Sequence, residues 1–243
     1  TKQKIKRQKA GEKMEGFDIE VYMQKIKQEL LNTFGDELVY LGLQGSFRRG
    51  EARESSDIDV MVILEEFTVE RMAEYREILK RVGNFNKSCG FICGRKEMKN
   101  WNRFEICQLL HETKDYYGTL SQLVPAYSRQ DVQDYLKTGA GNLYHELCHR
   151  YIHAPDTLQE VLPFLYKGTF YLLQNRHWLN TGEYLQDRTE LLTCLSGLDQ
   201  TVLQIGIKMR EGISCKQEEA FEALFLWCRE ILWEETQHET LCR

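Results

Sequence analysis

Apolar residues fall into a helical rhythm soon after the chain begins. Ile19, Tyr22, Met23, Ile26, Leu30 and Phe34 share one face of a helix that Asp18 can cap and Gly35 can stop, so a helix is predicted over about 18–35. The rhythm then changes. Leu38-Val39-Tyr40-Leu41-Gly42-Leu43 is a short apolar run, read as a buried strand that leads into a turn at Gln44-Gly45-Ser46. A second strand is predicted over 58–64, rich in β-branched residues. Thr68 caps a predicted helix that runs to Arg81 and ends at Gly83, and short strands are expected at 90–93 and near 104–110. Beyond about Ser121 no strand pattern stands out. Four helices are expected there, over 129–153, 157–181, 187–211 and 215–236, with breaks at Pro155, Gly182 and Gly212.

Together these elements predict an α+β chain: an α/β domain with a small mixed sheet over 18–120, then a helical bundle over 121–243, preceded by a basic arm over 1–17. Composition adds little to this picture and excludes some partners. Hydrophobic residues at 42% and charged residues at 28% are an ordinary globular balance, and only 3 prolines fit long helices. A formal net charge of -5 argues against a nucleic-acid partner, because binding phosphates needs basic surface. The 8 cysteines lack paired spacing and several sit in apolar runs, as expected of reduced core thiols in a cytoplasmic protein. No apolar run approaches the roughly 20 residues of a membrane span. The opening Thr1-Lys2-Gln3-Lys4-Ile5-Lys6-Arg7 is basic without an apolar region after it, unlike a signal peptide.

The stretch that carries chemistry lies between the first two predicted strands. Asp57 and Asp59 are one residue apart at the start of a strand, and side chains alternate with a period of two, so both carboxylates take the same face. Two carboxylates side by side repel, and a divalent cation relieves the repulsion. Upstream, Gly45-Ser46 ends the preceding strand, where backbone N–H groups and a hydroxyl can cradle phosphate oxygens. Arg48, Arg49 and Arg53 add positive charge to the loop between. A Gly-Ser turn alone says little; with strand, basic loop and Asp-x-Asp in that order, the set points to metal-assisted phosphoryl or nucleotidyl transfer.

Gly45-Ser46 with Ser56-Asp57-Ile58-Asp59 resembles the signature of the DNA polymerase β-type nucleotidyltransferase superfamily. Within it, the chain's size and trailing helices resemble the bacterial aminoglycoside adenylyltransferases, and Arg176-His177-Trp178-Leu179-Asn180-Thr181-Gly182 is similar to the helix ending in Thr-Gly of the streptomycin/spectinomycin enzymes. The first match covers roughly the N-terminal half; the second is short. The resemblance implies that Asp57 and Asp59 bind two Mg²⁺ ions against the triphosphate of ATP. Gly45 and Ser46 would hold the phosphates, with Arg49 and Lys167 as further nucleotide contacts. An acceptor hydroxyl on a small molecule, such as an aminoglycoside-type antibiotic, would attack the α-phosphorus and release pyrophosphate. The helical domain would bind that acceptor, and antibiotic resistance would be the biological role.

The chain departs from the family at two places. The family has a third carboxylate at the start of the next strand, where this chain reads Lys87-Ser88-Cys89-Gly90-Phe91-Ile92-Cys93. Glu105, Glu112 and Asp115 are the alternatives, and Glu105, placed on a predicted strand, is taken as the catalytic carboxylate. The family's lysine after Thr-Gly is also missing; Glu183, Asp187 and Arg188 stand there instead. Two other functions compete. The missing carboxylate suits a nucleotide-binding protein that does not turn over. His145-Glu146-Leu147-Cys148-His149 matches H-E-x-x-H, with His153 on the same face, which suits a zinc hydrolase.

Overall fold

The computed structural model describes residues 17–234. Apart from Phe17, the basic arm expected over 1–17 lies outside the described residues, as does Cys242. The chain folds as two compact units. One takes in the chain up to Trp101 together with Glu112–Pro125; the other takes in Asn102–His111 and the chain from Ala126 onward.

The first unit is a four-stranded sheet with helices on it. Helix α1 (Ile19–Phe34) starts where Asp18 Oδ1 accepts from the amides of Glu20 and Val21, at 2.8 and 3.2 Å. Phe17, just before the cap, packs against Tyr22 one turn later with ring centroids 5.6 Å apart, a hydrophobic staple. Strand β1 (Leu38–Leu43) leads into a one-turn helix α2 (Gly45–Arg48), a loop, and strand β2 (Ile58–Leu64). Helix α3 (Val69–Val82), capped by Thr68, crosses back to strand β3 (Ser88–Gly94). Short helix α4 (Arg95–Lys99) and helix α5 (Arg103–Glu112) precede strand β4 (Lys114–Tyr117).

The strand order is β3-β2-β1-β4. β1 pairs antiparallel with β2 and β4, while β2 and β3 run parallel because α3 returns the chain to the same end of the sheet. Ile58, Val60, Val62 and Leu64 of β2 pack in one core with Met23, Ile26 and Leu30 of α1 and Ile78 and Val82 of α3. Alternation therefore sends Asp59, and Asp57 two residues earlier, to the face away from those helices. At Gly90, φ is +133° and a Cβ would meet Val60 O at 2.0 Å, so only glycine lets β3 approach β2 there.

The second unit, which includes most of α5, is helical. Helices α6 (Arg129–His153), α7 (Leu158–Thr181), α8 (Arg188–Cys194), α9 (Gly197–Arg210) and α10 (Gln217–Trp233) surround a core that includes Leu147, Leu173, Val202, Leu224 and Trp227. Ser128 opens α6 with a capping box: its hydroxyl accepts from Asp131 N, and the Asp131 carboxylate accepts from Ser128 N at 2.7 Å. No helix among the described residues is long and apolar enough to cross a membrane.

Three elements differ from expectation. The strand expected near 104–110 is helix α5, and Glu105 is therefore on a helix. A short apolar run is ambiguous between the two states, and here Ile106 and Cys107 are both fully buried on a helical face. The helix expected over 187–211 is broken into α8 and α9, because Leu195 is extended and Gly197 has φ +60°. Strand β4 has no counterpart in the sequence pattern; Lys-Asp-Tyr-Tyr is a short edge strand with no apolar alternation, and its pairing with β1 is a tertiary event.

Candidate functional site

The turn after β1 and the start of β2 are held together by the backbone. Gln44 N donates to Asp59 O at 2.8 Å, just past the last β1–β2 pair, Leu43 with Val60. Gly45 follows with φ +67°, a conformation that favours glycine. A Cβ on Gly45 would stand 1.9 Å from Asp59 Oδ2, so glycine is needed here for space as well as for backbone angle. The carboxylate of Asp59 thus lies directly against the turn that Gly45 and Ser46 open. Asp57 is exposed and Asp59 partly so, with the fully buried Ile58 between them.

The turn folds onto itself. Arg49 N donates to Gly45 O at 3.3 Å and Glu51 N to Ser46 O at 2.9 Å. A second turn sets up Asp57: Arg53 N donates to Ser56 Oγ at 2.8 Å and Ser56 N returns to Arg53 O at 2.9 Å. Lys87 Nζ reaches Glu54 O at 2.6 Å and ties the loop to the start of β3.

The loop arginine expected to contact phosphate is engaged by carboxylates. Arg49 Nη1 bonds Glu112 Oε2 at 2.6 Å and Arg49 Nε meets Glu51 Oε2 at 3.3 Å; the Arg49 and Glu112 side chains are each only 5% exposed. Beside Glu112, Thr113 Oγ1 accepts from Gln44 Nε2 at 2.9 Å. Gln44, Glu112 and Thr113 are the residues that sequence reasoning misses in these roles. Nothing in their spacing announces them, since Gln44 and Thr113 are 69 positions apart.

The position opposite Asp59 on β3 is Cys89, in parallel register. Partial desolvation, followed by the charges of Asp59 and Asp57, pushes the Cys89 thiol above its usual range, which places both carboxylates in its neighbourhood. Two other carboxylates of this unit have partners within it. Glu112 holds Arg49, and Asp115 accepts from the Tyr40 hydroxyl at 2.5 Å. Glu105 belongs to the helical unit, where burial first and the Glu105 charge second raise the pKa of Tyr135. Lys167 is exposed in the middle of α7, in that same unit.

Arg176 of the Thr-Gly segment is nine-tenths buried and ion-paired with Asp199 at 2.6 Å and Glu230 at 2.8 Å. Of the residues after that segment, Asp187 caps α8 through the amides of Thr189 and Glu190, and the Arg188 guanidinium lies 3.6 Å from the Phe170 ring centroid. His145, His149 and His153 run along an exposed face of α6, while Glu146 pairs with Arg150 at 2.7 Å. Among the described residues no group of three or more His, Cys, Asp or Glu side chains is placed to hold a metal ion, so H-E-x-x-H gains no third ligand from them.

Residues 23–123, which take in the sheet and α1 from Met23 onward, match the nucleotidyltransferase domain family. Among solved structures, the chain is similar to the spectinomycin adenyltransferase AAD(9) from Enterococcus faecialis, crystallised with ATP and spectinomycin. The identity is 14%, the match covers 88% of this chain and 99% of that one, and the TM-score is 0.56. A toxin-antitoxin structure with AMP-PNP also matches, at 21% identity over 56% of this chain and 97% of that one, with a TM-score of 0.30. No curated protein matches the chain.

Proposed function

We propose that this chain, an enzyme with a nucleotidyltransferase domain over residues 23–123, transfers AMP from ATP to a hydroxyl of an aminoglycoside-type small molecule. One observation carries the reading. The Asp59 carboxylate sits so close to Gly45 that a single methyl group would collide with it, so the group suited to a metal and the turn suited to phosphate are neighbours. The fold shared with a spectinomycin adenyltransferase supports the acceptor class.

Asp57 and Asp59 are hard oxygen donors, and Mg²⁺ commonly takes one or two carboxylates and completes its shell from substrate phosphates and water. Two Mg²⁺ ions held by this pair would supply charge neutralisation for the triphosphate and the leaving pyrophosphate. The remaining work falls to the chain. The amides that open α2 and the Ser46 hydroxyl donate to phosphate oxygens, and the rigid β1–β2 junction fixes them beside Asp59. Catalysis then rests on positioning and electrostatics. Glu105 and Lys167 lie on helices of the other unit. With Cys89 rather than a carboxylate opposite Asp59, the proton of the acceptor hydroxyl must pass to another base or to water.

The test is direct: purified protein with Mg²⁺, ATP and a panel of aminoglycoside and aminocyclitol antibiotics, read by pyrophosphate release and product mass. Mass gain by one AMP on a panel member is expected; no adenylylated product from any member overturns the acceptor assignment. Cys89 opposite Asp59 also favours a second reading, a nucleotide-binding protein without turnover, which predicts binding of an ATP analogue but no pyrophosphate.

Gly45→Ala probes the carrying observation. Its Cβ displaces the Asp59 carboxylate, and a misplacement of about 1 Å costs roughly 100-fold in rate. The expected result is that loss in turnover with a folded protein, checked by steady-state kinetics beside a thermal melt.

A further inference from the structure

Gln44, just before Gly45-Ser46, and Arg49, three residues after it, are both held by one short stretch of chain. Gln44 donates through its side chain to Thr113 Oγ1 at 2.9 Å, and Arg49 pairs with Glu112 at 2.6 Å. Glu112 and Thr113 are themselves buried, at 4% and 8% exposure, and lead straight into β4, whose Lys114 pairs with Leu43 at the end of β1. Buried polar groups of this kind are costly unless satisfied, and here each has its own partner in the turn, Glu112 with Arg49 and Thr113 with Gln44. Glu51, bound to Arg49 Nε at 3.3 Å, also donates its amide to Ser46 O at 2.9 Å, so the ion pair is connected to the backbone of the turn itself.

We propose that Glu112 and Thr113 form a clamp that presets the Gly45-Ser46 turn for triphosphate, and that Arg49 is a positioning residue acting through this clamp rather than a phosphate ligand. The inference rests on the nucleotidyl-transfer reading of the site and adds residues to it. Its physical content is preorganisation. Holding the turn before nucleotide arrives removes the ordering cost from binding, and an Arg with two carboxylate partners and a 5% exposed side chain has little freedom to turn toward a ligand.

The sign of one substitution separates this role from direct contact. Glu112→Gln removes a negative charge close to where the triphosphate would lie. If Arg49 is a phosphate ligand, the change frees it and ATP binds as well or better. If Glu112 is a clamp, ATP binds more weakly despite the gain in local positive charge. The probe is a nonhydrolysable ATP analogue with Mg²⁺, titrated calorimetrically onto the full chain well below its melting temperature. Glu112→Gln and Arg49→Lys are each expected to weaken binding about tenfold, and the double variant no more than either single one, because both break the same pair. Hydrogen exchange of amides 45–51 is expected to rise in both, a local readout that general destabilisation would not confine to the turn. Thr113→Val, which removes only the hydroxyl, is expected to weaken binding about threefold; it also serves if Glu112→Gln does not fold.

Unchanged or tighter binding in Glu112→Gln overturns the clamp, and so does unchanged binding in a folded Thr113→Val. Failure of the wild-type protein to bind the Mg²⁺-loaded analogue overturns the nucleotidyl-transfer reading instead, so the two failures are distinct.

Discussion

Asp59→Asn is expected to lower AMP transfer by roughly a thousandfold, with Asp57→Asn close behind, while the fold is retained. The arithmetic follows from the site's position. Removing a group that stabilises charge in a transition state typically costs about 10²–10³ in turnover, and a carboxylate that also holds metal contributes to binding as well. Asparagine keeps the shape that fits against Gly45, so packing is spared. Losing one of two neighbouring like charges is not expected to lower the melting temperature, because the pair repels when no cation is bound. Turnover and Mg²⁺ affinity would be measured together with a thermal melt. Turnover within tenfold of the parent in Asp59→Asn would remove the assignment of this carboxylate to the reaction.

The second large effect lies in the helical unit and concerns stability. Arg176 projects from α7 with its side chain only 10% exposed, and its guanidinium bonds Asp199 of α9, Glu230 of α10 and Glu234 just beyond it. Trp227, fully buried on α10, donates its indole N–H to the same Asp199 oxygen at 2.6 Å. One cation thus links three segments of the bundle. Arg176→Ala leaves the Asp199 carboxylate, 17% exposed, with its main counter-charge gone. Breaking a buried pair from one side costs about 3–5 kcal/mol. Glu230 and Glu234 are close to half exposed and can turn to water, so the lower end, about 3 kcal/mol, is expected. Urea unfolding followed by tryptophan fluorescence would measure it, and a loss below about 1 kcal/mol would mean that the cluster does not tie these helices. The segment from Arg176 to Gly182, similar by sequence to an antibiotic-enzyme motif, therefore has a structural use for its first residue.

How far the site can be read from the sequence depends on the range of each interaction. A period of two puts Asp57 and Asp59 on one face, and the core positions of Ile58 and Val60 agree with that face. Gly45 is legible as a turn residue, but its contact with Asp59 is not, since it depends on how β1 registers on β2. Arg49 illustrates the opposite case. Its neighbours in sequence suggest phosphate, whereas its partners in space are carboxylates, one of them 63 positions away. In the sequence, Cys89 belongs to a stretch that lacks an expected acid; only the parallel pairing of β3 with β2 places its thiol opposite Asp59.

By itself the sequence determined the local events: the caps at Asp18 and Thr68, the two apolar strands, the long helices α6 and α7, and the Asp-x-Asp after Gly-Ser. Each of these follows from periodicity or from hydrogen bonds made within a few residues. Tertiary structure decided what local preference leaves balanced. It made 103–112 a helix rather than a strand, recruited the weakly patterned Lys114–Tyr117 as a sheet edge, and split the chain at Leu195. It also chose the partners of Arg49, Glu112, Gln44 and Thr113. A buried polar group takes whichever satisfying partner the packed chain brings within about 3 Å, and sequence distance carries no information about that choice.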